Sequence, residues 1–228
     1  MFPSVQEPDE VKEIERKRVI RQINPHFIFN ALAAIRVMTK IDANMAYDLI
    51  YDFSKYMKTV FQSLTYWGNI PIKEEIVNVI SYTNLEKVKF GNDITICLDI
   101  EETDFVIPPL SVQPLVENAI VHGLKKGGRK GTVWIRSRET SSEYLVQIED
   151  DGIGFDIAAY RRRLIEESLK YGGLQRVKYQ MERQISGGVE IKSIVGQGTV
   201  VTLHIPKIPK QNNRRGGDGH EHKSYIGR

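Results

Sequence analysis

Apolar positions recur at helical spacing through the first part of the chain. From about Ala43 to Tyr66 they fall at Met45, Leu49, Phe53, Tyr56, Val60 and Leu64. Steps of three and four place these residues on one face of an α-helix. The preceding stretch, "DEVKEIERKRVIRQINPHFIFNALAAIRVMTKI", reads as another helix. Its leading acidic residues suit the positive end of a helix dipole. The linking "IDAN" is short, so the two helices are expected to be antiparallel neighbours. Two helices cannot enclose a core by themselves. A second copy of the hairpin would complete a four-helix bundle, and a homodimer is the expectation.

"WGNIP" breaks the pattern with Gly68 and Pro71. Beyond it, "IKEEIVNVISYTNLEKVKF", "PPLSVQPLVENAIVHGL" and "GLQRVKYQMERQI" read as helices. "DITICLDI", "GTVWIRSRE" and "EYLVQIED" read as strands, and "GVEIKSI" and "GTVVTLHIP" as a closing pair around "VGQG". The predicted class is α+β: a helical hairpin, then a mostly antiparallel sheet with helices on one face. Three regions follow from this division. The hairpin covers 9–68, the α/β domain 69–206, and a polar, glycine-rich tail 207–228. The tail has almost nothing to bury and reads as disordered.

Composition changes this picture little. The chain has 228 residues and a net charge of +3. Six Lys/Arg against two Asp/Glu after Pro206 give the tail a local +4, which leaves the remaining 206 residues at −1. A nearly neutral body argues against a nucleic-acid-binding face. A single cysteine, Cys97, excludes an internal disulfide and a Cys-based zinc site. No apolar run approaches the roughly 20 residues that span a bilayer. The chain therefore reads as a soluble protein of a reducing, cytoplasmic compartment.

Candidate chemistry sits in three segments of the second domain. In "PLVENAIVHG", Asn118 and His122 are four apart and project from one helix face. An amide oxygen can ligate Mg²⁺ and an imidazole N–H can reach a phosphate; the pair is also what a polar stripe on an amphipathic helix looks like. In "EDDGIGFD", Gly152 and Gly154 permit a sharp turn, and Asp150 at the strand end can accept a hydrogen bond from an amino group such as that of adenine. In "VGQGT", Gly196 and Gly198 flank a turn and Thr199 adds a hydroxyl. Between the last two, the "GGL" of Gly172, Gly173 and Leu174 opens a helix, and free N–H groups at a helix start bind anions. The basic residues before it could form a flap over a nucleotide.

The order of these segments resembles the Bergerat-type ATP-binding domain of histidine kinases, gyrase and Hsp90-type ATPases, a two-layer α/β sandwich. With "QINPHFIFNAL" and "LEKVKFG", the chain closely resembles the LytS/YesM type of sensor histidine kinase over roughly residues 15–206. The resemblance implies an ATP-dependent protein histidine kinase. His26 would be the phosphoacceptor, ATP and Mg²⁺ would bind the second domain, with Asn118 on the metal, and the phosphoryl group would pass to an aspartate on a response regulator receiver domain. A membrane or sensor domain would lie outside this chain. An imidazole near neutral pH is a capable nucleophile. Pro25 removes a backbone N–H and clashes one turn back, so a local kink that helps expose His26 is expected.

Two positions, Phe27 and Tyr171, depart from the histidine kinase pattern. Phe27 follows His26 where most histidine kinases carry an acidic base, so that base is not legible. Asn30, one turn on, stands where other kinases orient a water for dephosphorylation. Tyr171 replaces the first glycine of the usual G-x-G-L, and Gly172 would serve in its place. In the ATP-hydrolysing branches a glutamate stands four residues before the metal-binding asparagine; here that residue is Pro114. Glu117 lies about 100° around the helix from Asn118. It could act on a neighbouring group and joins His26 and Asn30 as a catalytic candidate. A degenerate kinase, serving as a nucleotide- or receiver-binding dimeric scaffold, is the alternative.

Overall fold

The computed structural model describes residues 25–65, 68–128, 130–166 and 173–207. The predicted helix before Pro25, with its kink, the greater part of the tail, and Tyr171 and Gly172 lie outside these residues. Helix α1 (Pro25–Ile41) and helix α2 (Ala43–Thr65) are separated by Asp42 alone. Asp42 ends one helix and starts the next: its N–H donates to the Met38 carbonyl at 2.8 Å, and its Oδ1 accepts the Met45 N–H at 3.0 Å. That side-chain acceptor is a helix N-cap. The Phe27 and Tyr56 rings lie 4.7 Å apart on either side of this turn, so the helices run antiparallel.

The chain continues as β1 (Ile70–Pro71), α3 (Ile72–Phe90), β2 (Ile94–Ile100), β3 (Val106–Ile107) and α4 (Gln113–Asn118). Then follow β4 (Gly131–Glu139), β5 (Glu143–Asp150), α5 (Ile157–Glu166), α6 (Gly173–Ile185), β6 (Gly188–Ile194) and β7 (Gly198–Pro206). Five strands form one sheet in the order β2-β4-β5-β7-β6, antiparallel except for the β2–β4 pair. Alternation is strict where it matters. Val133 and Ile135 on β4, Val146 and Ile148 on β5, and Leu203 and Ile205 on β7 are buried under the helices. Val177 and Met181 of α6, one turn apart, cover them. Lys207, counted with the tail from sequence, is held: its N–H donates to the Ser142 carbonyl at 3.0 Å and its ammonium lies 2.6 Å from Glu139.

The stripe expected to form the dimer seam is used differently. Leu49, Tyr56 and Val60 are buried within the single chain, while Met45 is exposed. The reason is α3. It packs on both helices of the hairpin and supplies the third wall that two helices lack. Asp52 on α2 accepts hydrogen bonds from Ser81 at 3.0 Å and Asn84 at 2.9 Å on α3. Tyr82 of α3 joins Phe27 and Tyr56 in an aromatic trio, with ring centroids 4.9 and 6.3 Å away. The exposed apolar surface of the hairpin is therefore another face, with Phe29 69% and Ile50 49% accessible. Among the described residues no helix is long and apolar enough to cross a membrane.

Candidate nucleotide site and phosphoacceptor

The sheet and the helices α4 and α6 enclose a cavity of about 470 Å³. Its floor is apolar: Ile148, Ile191 and Val201 from three neighbouring strands, with Leu115 and Ala119 from the α4 side. Phe155 and Tyr160 wall it, their rings in edge contact at 5.3 Å. The polar groups are few. They are Asp150, Asn118, His122, Lys126 and Thr199. An apolar slot with a few convergent polar groups is the usual form of a small-molecule site.

Among the described residues, Asp150 is the one buried carboxylate of this cavity, 6% exposed. Burial raises its pKa to about 6, against the pull of N–H groups from Gly152 and Thr199. The neighbouring Asp151 raises it further. Its Oδ1 accepts the Gly152 N–H at 2.9 Å. Space around it is tight enough to dictate glycines. A Cβ on Gly152 would stand 2.4 Å from the Gly123 carbonyl. Gly198 has φ +102°, and a Cβ there would come within 1.9 Å of the Asp150 carbonyl oxygen. Such a φ belongs to glycine.

Backbone bonds stitch the three sequence motifs together. Ile153 N–H donates to the Gly123 carbonyl at 3.0 Å, and Gly196 N–H to the Ile153 carbonyl at 2.7 Å. Ser193 accepts the Phe155 N–H at 2.9 Å and lies 3.0 Å from the Thr199 hydroxyl. Drawing the Gly123 carbonyl toward the loop accompanies a change in the helix itself. After Asn118 the turns widen to π form over Ala119–Leu124. Asn118 and His122 both reach the cavity, but across this widened turn rather than on a uniform α-helix. Single π turns are common at functional sites.

Of the residues singled out from sequence, Asn118, His122, Asp150, Gly154, Gly173, Leu174 and Thr199 line the cavity. Gly152 and Gly198 lie behind Asp150 and let it be approached; Gly196 holds the loop from outside. Gly172 lies outside the described residues. Glu117 does not line the cavity. Gln113 donates to it at 3.2 Å, and its charge raises the pKa of Tyr56 and Tyr82, secondary to the effect of burial on each. His26 and Asn30 are apart from the cavity on α1. His26 is exposed, and the Asn30 amide nitrogen lies 2.9 Å from its Nδ1 and 3.3 Å from its Nε2.

Sequence reasoning missed several participants. Gly123 was present in the quoted motif, but only the fold reveals that a Cβ there would stand 2.5 Å from Asp150 Oδ1. Lys126 sits one helical turn beyond His122, a spacing that could have drawn attention to it. Ser193 and the floor residues carry no local signal. No group of three or more His, Cys, Asp or Glu is arranged to hold a metal among the described residues. A Mg²⁺ ion at this site would rest on Asn118 and on oxygens of its substrate. That is how Mg²⁺ usually enters phosphate chemistry.

Comparisons with known proteins agree with this arrangement. A histidine kinase family model matches residues 14–94. A model of the histidine kinase-, DNA gyrase B-, and HSP90-like ATPases matches residues 109–209. The chain belongs to the histidine kinase family. Sensor histidine kinase YpdA of Escherichia coli (strain K12) is 33% identical over 210 residues, which are 89% of this chain and 36% of that protein. YwpD of Bacillus subtilis (strain 168) is 30% identical over 188 residues, 81% of this chain and 67% of that one. Sensor protein LytS of Enterococcus faecalis (strain ATCC 700802 / V583) is 32% identical over 157 residues, 68% of this chain and 26% of that one. The chain thus spans about a third or less of the sensor proteins named here. Among solved structures, the histidine kinase domain of the Erythrobacter litoralis EL346 blue-light activated kinase superposes with a TM-score of 0.47 at 17% identity, over 87% of this chain and 94% of that one.

Within this family, the second half is the two-layer ATPase sandwich that the sequence predicts, and its family is one of ATP-binding domains. The hairpin with His26 falls in the histidine kinase match.

Proposed function

We propose that this chain is the kinase core of a two-component sensor. ATP bound in the cavity phosphorylates His26, and the phosphoryl group then passes to an aspartate of a response regulator. The observation that carries this reading is the pairing of two parts. One is a cavity whose one buried carboxylate among the described residues is Asp150, with Asn118, His122 and Lys126 among its lining groups. The other is an exposed histidine, oriented by Asn30, on a separate helix.

On this reading adenine enters the apolar slot and donates its amino group to Asp150. The triphosphate extends toward Asn118, with His122 and Lys126 as donors. Mg²⁺ held by Asn118 would offset phosphate charge. A ring nitrogen of His26 attacks the γ-phosphorus, the bond to the β–γ bridging oxygen breaks, ADP departs and the imidazole loses its N–H proton. Catalysis of this kind rests mainly on positioning and electrostatics. Glu117 of α4 is the carboxylate assigned to assist that proton. Pro114 leaves the hydrolase position without a carboxylate, which favours transfer over release of free phosphate. The exposed apolar face of α1 and α2 supports a homodimer, with the hairpins of two copies in contact.

Incubation with γ-labelled ATP and Mg²⁺ tests the reading. The expected label is acid-labile and base-stable, as a phosphoramidate is. His26→Gln should bind ATP and stay unlabelled; Asn118→Asp should keep His26 but not transfer. A mixed dimer of the two variants that becomes labelled sets transfer across the dimer. Strong labelling of His26→Gln alone removes His26 from the role. Binding without any labelling of the wild type leaves the nucleotide-binding scaffold.

A further inference from the structure

Helix α6 starts in the wall of the cavity, with Gly173 and Leu174 lining it. Two residues further on, Arg176 turns away from the cavity. Its Nη2 donates to the carbonyl of Leu110 at 3.0 Å. The Leu110 N–H donates to the carboxylate of Glu75 on α3, and the Val112 N–H donates to the same carboxylate at 3.0 Å. Glu75 is fully buried, and the carboxylates whose fields reach Arg176 are Glu75 and Glu117. Leu110, between these two side chains, has φ +57°. A leucine in the left-handed region is strained and persists only where its surroundings hold it. Here the holders are one side chain from α3 and one from α6.

The route continues without a gap to the hairpin. Glu75 shares α3 with Ser81 and Asn84, which bind Asp52 of α2. The same helix carries Tyr82, whose ring packs against that of Phe27, the residue next to His26. The junction is also incompletely satisfied. Arg176 Nε, Gln180 Oε1 and both amide atoms of Asn78 are buried without partners among the described residues. Gln180 reaches the Pro109 carbonyl with its other amide atom at 3.5 Å. Unpaired buried groups are costly, so a shift of α6 against α3 that gave them partners would recover part of that cost.

The geometry points to Arg176 as a positioning residue that couples the nucleotide cavity to the histidine hairpin. It ties the helix that begins in the cavity wall to Leu110 and, through Glu75, to α3. The inference rests on the reading of the cavity as the nucleotide site and of His26 as acceptor.

The test uses the full chain with a non-hydrolysable ATP analogue and Mg²⁺. Analogue affinity is measured by calorimetry, and amide hydrogen exchange is followed in residues 75–86 and 26–30. In the wild type, the analogue should slow exchange in both segments. Arg176→Gln should keep analogue affinity within about threefold and lose the exchange response, while the saturated transfer rate falls by about tenfold or more at little-changed KM. Arg176→Lys, which keeps the charge and loses the planar fork, should restore part of the response. If Arg176→Gln fails to fold cooperatively, Glu75→Gln breaks the same link from α3 and should show the same split. A full exchange response in a folded variant overturns the inference. So does an affinity that falls in step with transfer, since Arg176 would then belong to the binding site itself. A wild type that binds the analogue with no response in α3 overturns the coupling and leaves the proposed function standing. A wild type that binds no nucleotide overturns both.

Discussion

Asp150 gives the nucleotide reading a pH signature. Its carboxyl is held near pKa 6 chiefly by burial. Adenine's amino group donates, so only the ionised carboxylate is a full acceptor. At about pH 5 roughly one-tenth of the sites would be ionised, against nearly all at about pH 7.5. Affinity for an ATP analogue should then fall by about tenfold across that interval, or about 1.4 kcal/mol. Asp150→Asn should weaken binding near neutral pH by about 1.5–3 kcal/mol, the worth of a hydrogen bond to a charged group, and should remove the pH dependence. Calorimetric titrations of both proteins across the interval provide the measurement. A flat wild-type profile, or an asparagine variant with the same slope, would refute the placement of adenine against Asp150. Stability carries the opposite sign. The folded-state pKa is raised, so the folded chain keeps its proton longer than the unfolded one. The stabilising contribution is full below about pH 4 and is lost as pH rises toward about 6, by up to about 3 kcal/mol. Urea midpoints should show that decline in the wild type and lack it in Asp150→Asn.

Two further outcomes concern the hairpin. Phe27→Ala removes a buried ring that contacts both Tyr56 and Tyr82, and should cost about 3–5 kcal/mol in urea unfolding; a change under about 1 kcal/mol would mean that the trio does not hold α1 in place. Ile50→Asp should shift the oligomer toward monomer in light scattering without unfolding it, because Ile50 is exposed in the single chain; an undisturbed dimer at micromolar concentration would place the interface elsewhere.

Much of the fold and most of the cavity were legible, for different reasons. Period-two and period-three-to-four patterns locate strands and helices because one face of each is buried. The glycines around Asp150 were legible because close backbone approach leaves a mark in the sequence. The buried contacts of Arg176 and Glu75 were not. An arginine and a glutamate on amphipathic helices look like solvated residues until the fold brings Leu110 between them. The destination of the α2 stripe was hidden for a related reason. Periodicity says that a face is covered, not by what, and α3 covers it from within the chain.

The residue after His26 shows how such packing constrains chemistry. Most histidine kinases set an acid there, and this chain sets Phe27, whose ring is buried between α2 and α3. A carboxylate at that position would be withdrawn from water into a pocket of aromatic rings, where an unpaired charge is unfavourable. The side chain that anchors the helix cannot also be the proton acceptor. On the proposed mechanism the base therefore comes from another element. Glu117 is the carboxylate proposed for it: it does not line the cavity, and its charge adds to the raised pKa of Tyr56 and Tyr82, the two rings that enclose Phe27. On the proposed mechanism, α4 supplies Asn118 to the triphosphate and Glu117 to the proton. On that mechanism, the division of labour that other kinases make along one helix is made between two.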